Sequence, residues 1–227
     1  MRSVIITITG LFFGSKGGNM NRIITISREF GSGGREVGKR LADELGIAYY
    51  DKEIIQEMTE KTGLKAEYIQ AVSERGMPPY AFQFAKSFAV YSQMNRNQTE
   101  ILVEQQKIIK ELAQKGDCVI VGRGANLILK DYQPMNLFIY ADMASKMRRC
   151  REKGSKEEKL TDKEMENQMK QIDKQRKKYH EILSGFEWGK KENYHLCINT
   201  SDLEIKTIIP SLGAYIRNWF ERREKQK

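Results

Sequence analysis

Between Ile23 and Leu45 the chain passes from a β-branched apolar run through a Gly-rich turn into a helical repeat. Few folds accommodate that order. Ile23-Ile24-Thr25-Ile26 has the composition of a buried parallel strand. Ser27-Arg28-Glu29-Phe30-Gly31-Ser32-Gly33-Gly34 is the turn, and Val37, Leu41 and Leu45 recur at helical spacing before Gly46 stops the helix. The same alternation continues downstream. Ala48-Tyr49-Tyr50, Cys118 to Val121, Leu137 to Tyr140 and His195 to Ile198 read as strands. Helical patterns fill much of the remainder, with Asp51 and Asp202 as candidate caps. Strands alternating with helices imply a mainly parallel sheet.

A Gly-rich turn between a buried strand and a helix is a phosphate site. Glycines let backbone N–H groups approach the oxygens, and the helix N-terminus adds a favourable dipole. The full P-loop motif is G-x-x-x-x-G-K-[ST]. Here Gly34 stands where the Lys belongs, and Glu36 is read at the place of the Ser/Thr that ligates magnesium. A tight βα turn serving only packing is the competing reading. Arg35, Arg28 or Lys39 would supply the missing charge. Arg35 is nearest and reaches a phosphate with two donors.

Composition narrows the ligand. Of the 227 residues, 39 are Lys or Arg and 30 are Asp or Glu, a formal net charge of +9 that favours an anion. Much of the excess lies in 146–191 and in the tail residues Arg222, Arg223, Lys225 and Lys227, which also fit solvated helix faces. The stretch 146–178 has no aromatic residue among its cations, so nucleic acid is not the expected partner. Three unpaired cysteines, Cys118, Cys150 and Cys197, fit a reducing, cytoplasmic setting. With His180 and His195 the only histidines, no metal-binding residues are assigned. No Gly-x-Ser-x-Gly elbow or plausible Cys/His pair points to covalent hydrolysis. The apolar run Val4 to Phe13 is too short to span a bilayer, so no membrane association is expected. Residues 1–19 read as an N-terminal extension, with an extra strand from Ile5 to Ile8 as the alternative.

Ile24-Thr25-Ile26-Ser27-Arg28-Glu29-Phe30-Gly31-Ser32-Gly33-Gly34-Arg35-Glu36-Val37-Gly38 resembles the opening of the cytidylate kinase-like family, a divergent branch related to bacterial cytidylate kinases. The resemblance runs from about Met20 to about Trp219. It implies an α/β, three-layer fold of the P-loop NTPase type, mainly parallel, with helices on both faces and a helical lid. The domain would cover 20–227, with a nucleoside-monophosphate region at about 51–97 and the lid at about 145–190. The implied activity is transfer of the ATP γ-phosphate, with Mg2+, to a nucleoside monophosphate such as CMP, by a monomer or homodimer. A non-catalytic nucleotide-binding module on the same fold is the alternative, because the loop Lys is missing.

The resemblance also assigns roles. Gly31, Ser32, Gly33, Gly34, Arg35 and Glu36 would hold the donor nucleotide. Gly46-Ile47-Ala48-Tyr49-Tyr50-Asp51-Lys52 places Asp51 near the acceptor nucleotide. Val121-Gly122-Arg123-Gly124 is similar to a Gly-Arg-Asp segment whose Arg contacts the acceptor phosphate, with Gly124 in place of the Asp. Asp173 and Arg176 are similar to the Asp-x-x-Arg of the lid, and Arg148 or Arg149 to an arginine at its start, Arg148 being taken with Arg35, Arg176 and Asp173 as the catalytic set. Ile198-Asn199-Thr200-Ser201 resembles the Asp-Thr-Ser that closes the last strand. Ser32 or Ser27 would ligate magnesium.

Overall fold

The computed structural model describes residues 21–75, 88–153 and 160–226. The expected extension 1–19 lies outside them, as do 76–87 in the expected acceptor region and 154–159 in the expected lid.

Five strands form one sheet: β1 Ile23–Arg28, β2 Ala48–Tyr50, β3 Cys118–Val121, β4 Met135–Tyr140 and β5 Leu196–Asn199. Their order is β2-β3-β1-β4-β5 and every pairing is parallel. Helix α1 Gly34–Leu45 follows β1, while α2 Lys52–Thr62, α3 Ala66–Arg75 and α4 Phe88–Gln114 link β2 to β3. The short α5 Ala125–Ile128 follows β3. Helices α6 Met143–Lys153 and α7 Asp162–Ser184 separate β4 from β5, and α8 Ile205–Lys225 closes the described chain.

The period of two along each strand sorts the core onto two faces. Ile23, Cys118 and Ile120 pack with Ile54, Met58, Ile69, Ile101 and Ile108 of α2, α3 and α4. Ile24, Ile26, Val119 and Val121 pack on the other face with Val37 and Leu41 of α1 and with Ile205, Ile209, Leu212, Ile216 and Phe220 of α8. This is a three-layer α/β fold, as expected.

Two expected caps are corrected. Asp51 sits at the N-cap of α2 but makes no side-chain capping bond. Asp202 lies three residues before α8, and its Oδ1 accepts from Arg148 instead. By contrast Gly46 ends α1 in the left-handed conformation, as its position predicts.

The strand order places the functional edge. From β1 the chain goes first to one side of the sheet, to β2 and β3, and later to the other, to β4 and β5. A crevice opens at the carboxyl end of β1, where successive connections diverge. The Gly-rich turn leaves β1 at that point.

Candidate functional site

Gly31 and Gly33 adopt φ values of +76° and +81°. A side chain would strain both, and this wraps the turn around the start of α1. The first N–H groups of α1 have no intrahelical partner and face whatever occupies the crevice. Gly31, Gly33 and Gly34 line a cavity of about 810 Å3, so the loop is open to it. Helices α6 and α7 supply the opposite wall through Arg149, Arg151, Lys153, Met165, Met169 and Arg176. Six cations (Arg28, Arg35, Arg149, Arg151, Lys153, Arg176) and two carboxylates (Glu29, Glu36) line it. That excess suits a polyanion.

Helices α6 and α7 dock on the loop through a polar cluster. Asp173 Oδ1 accepts the Phe30 N–H at 2.7 Å, and its Oδ2 takes Lys146 Nζ at 3.1 Å. The same Lys146 Nζ reaches Glu29 Oε2 at 3.0 Å. Arg176 Nη1 donates to the Arg28 carbonyl at 3.1 Å, and the guanidinium lies 5.8 Å from the Phe30 ring centre. Burial pushes the Asp173 carboxyl above its ordinary value, although the Phe30 N–H, Lys146 and Arg176 all favour the anion. Sequence reasoning missed Lys146 and Glu29. Lys146 is buried among polar groups, which no apolar periodicity marks.

Asp51 and Arg123, both assigned to the acceptor by resemblance, lie in contact. Both are buried, and Arg123 Nη2 donates to the Asp51 carbonyl at 3.2 Å. Arg123 has φ +56°, an uncommon conformation for a side-chain-bearing residue, between Gly122 and Gly124 at +80° and +65°. The position of the expected family Asp is thus a left-handed N-cap of α5, which glycine fills without strain. Gln105 Nε2 holds the Arg123 carbonyl at 3.0 Å and also donates to the Tyr179 hydroxyl at 3.2 Å.

Arg35 pairs with Asp51, Nε to Oδ2 at 2.8 Å. It also lines the cavity, with its Nε held by the Asp51 carboxylate. Glu36 is bound by Lys153 of α6 and by Arg40 at 2.9 Å. Burial raises its pKa, but the bonds from Lys153 and Arg40 outweigh that and lower it below the usual value. Counting the motif from Gly33, the Ser/Thr position falls on Arg35 and the first Gly on Arg28, so Glu36 lies one residue beyond the ligand position.

Arg148, taken by resemblance with the catalytic set, lies apart from the other three. Its Nη2 pairs with the exposed Asp202 at 3.2 Å, and it does not line the cavity. Arg149 takes the inner place. It is buried and donates to the Thr200 carbonyl and to the Leu203 carbonyl, the latter at 3.4 Å. Thr200 in turn donates to the Ser32 carbonyl at 2.7 Å, which ties the end of β5 to the loop.

The polyphosphate of a nucleotide fits this site: an open glycine loop, a helix N-terminus and six converging cations. Magnesium finds less on the loop. The buried Ser32 hydroxyl donates to the Glu29 carbonyl at 2.8 Å, and no group of three His, Cys, Asp or Glu side chains gathers among the described residues. No step below is assigned to the metal. None of the helices described is long and apolar enough to cross a membrane.

Comparison with known proteins agrees with this construction. An uncharacterized protein from Eubacterium ventriosum has 29% identity and a TM-score of 0.63, covering 86% of this chain and 98% of its own. Shikimate kinase from Bacteroides thetaiotaomicron shares the fold at 14% identity and a TM-score of 0.53, covering 86% of this chain and 98% of its own. No curated protein matches the chain. The sequence profile of the cytidylate kinase-like family matches residues 23–202, from the first residue of β1 to the turn before α8. With that span matched, the chain belongs to the cytidylate kinase-like family.

Proposed function

We propose that the protein transfers the γ-phosphoryl group of ATP to a nucleoside monophosphate, CMP being the acceptor the family name implies. The observation that carries this is that two spaces share two arginines in their walls. Arg28 and Arg176 line both the large cavity and a small one of about 30 Å3 that is also lined by Ser27, Gly122, Arg123 and Tyr179. Phosphoryl transfer asks the protein mainly for position and for positive charge around the equatorial oxygens. In this reading the loop from Gly31 to Glu36 holds the donor phosphates, and Arg149 lines the same pocket. Arg123, fixed by Asp51 and Gln105, holds the acceptor phosphate. Arg176 stabilises the group in transit while α6 and α7 exclude water.

One observation favours the alternative of a nucleotide-binding module without turnover. The Asp173 carboxylate takes a loop N–H and stands beside the loop that would hold phosphate.

A coupled ADP-release assay with CMP, UMP, dCMP, AMP and GMP decides between them. Under the transferase reading, Arg123→Ala mainly raises the acceptor KM, since it removes binding common to ground and transition states. Arg176→Ala lowers kcat by about 10²-fold or more, since its contact strengthens as charge develops. Wild-type protein that binds ATP yet turns over none of the five acceptors establishes the binding module instead.

A further inference from the structure

Gly34 stands at the Lys position of the loop, and the reason is steric. A Cβ on Gly34 would lie 2.5 Å from Arg28 Cβ and 2.9 Å from Arg28 Cγ. No side chain fits there while Arg28 is present. The Arg28 side chain runs on across the carboxyl edge of the sheet, from β1 toward the turn after β3. A Cβ on Gly122 would overlap its Nη1 and lie 2.6 Å from its Cζ. Two glycines, one on each side, thus clear the track of a single buried arginine. The guanidinium thus reaches Gly122, which lines the Arg123 space, and Arg28 lines the large cavity as well.

From this geometry we infer that Arg28 is the phosphate-binding cation of the loop, transferred from the first turn of α1 to the last residue of β1. The inference rests on the phosphotransferase reading for its catalytic part, and on triphosphate binding alone for the rest. Arg35, the nearest alternative in sequence, pairs through Nε with Asp51, and Arg176 approaches from α7, bonded to the Arg28 carbonyl. A guanidinium offers a planar fork that matches two oxygens of one phosphoryl group, where an ammonium offers a point charge. Held between Gly34 and Gly122, it needs little reorientation as charge develops.

The test exchanges the two positions. Wild type, Arg28→Ala, Gly34→Lys and the double variant Arg28→Gly/Gly34→Lys are titrated calorimetrically with ATP and with inorganic tripolyphosphate, then assayed for ADP release. Circular dichroism and melting confirm that each is folded. Arg28→Ala should bind tripolyphosphate at least tenfold more weakly and lose about 10²- to 10³-fold in kcat. Gly34→Lys alone should be impaired, because its side chain meets Arg28. The double variant restores the usual arrangement and should regain most of the affinity, which keeps the test decisive even where Arg28→Ala folds poorly. Binding and turnover by Arg28→Ala equal to wild type overturn the inference and leave the transferase reading intact, as does a double variant no better than Arg28→Ala. Wild type that binds triphosphate without turnover removes the transferase reading, and the binding arm still decides on Arg28. Wild type that binds neither ATP nor tripolyphosphate overturns both.

Discussion

At the scale of single residues, two buried ionisable groups make measurable predictions. Asp51 is almost fully buried and Arg35 is its cation, itself about half exposed. Arg35→Ala strands the carboxylate away from water and should cost about 1–3 kcal/mol. Adding Asp51→Asn should recover part of that loss, and a double-mutant cycle in urea reads the coupling directly. Coupling near zero would show the pair to be incidental. His180 is buried, with Nε2 3.2 Å from Asn126 Nδ2. Burial, only partly offset by the Phe186 backbone and Glu181, holds its pKa below 6.5. Below that value the unfolded chain takes up a proton that the folded chain refuses, so stability should fall as pH drops through 6.5 toward the folded pKa. The slope is at most about 1.4 kcal/mol per pH unit. Urea midpoints at pH 7.5 and 5.5 should fall more for wild type than for His180→Gln; an equal fall would place the effect elsewhere.

At the scale of elements, the lid is held to the loop by charge rather than by apolar burial. Lys146 bridges Glu29 and Asp173. Lys146→Ala leaves two carboxylates facing each other and should cost about 1–3 kcal/mol. Hydrogen exchange should quicken in α6 and α7 and stay unchanged in β1 and β3. Uniform quickening would mean that the lid is integral to the core. The polar docking also explains what could be read in advance. The strand–loop–helix order is legible because β-branched residues, glycines and the Val37/Leu41 spacing each report local backbone geometry. The choice between Arg148 and Arg149 is not. The inward face of α6 carries Ser145, Lys146 and Arg149, so hydrophobic periodicity gives no register there. Asp51 and Arg123 are recoverable from motif likeness, but the Arg35–Asp51 pair depends on how α1 and β2 meet, which no local pattern encodes. Likewise, Arg28 reads as one cation of three until the space above Gly34 is known.

At the scale of the whole molecule, the five-stranded sheet carries helices on both faces. Asn21 bonds to the Ala113 carbonyl at 2.9 Å, and the Arg22 N–H to Asp117 at 2.7 Å, anchoring the chain where β1 begins. Because the family match begins at Ile23, a chain beginning at Met20 should melt within a few degrees of the full one. A fall of more than about 10 °C, equivalent to roughly 3 kcal/mol at this size, would show that the preceding residues belong to the fold. The crossing of Arg28 over Gly34 has a consequence for descent as well. A lineage with arginine at 28 and one with lysine at 34 are separated by two substitutions. One intermediate carries both side chains in a space for one, and the other carries neither cation. Each single step is therefore disfavoured while the pair of steps is not, so the two solutions should be inherited as blocks, with few sequences found between them.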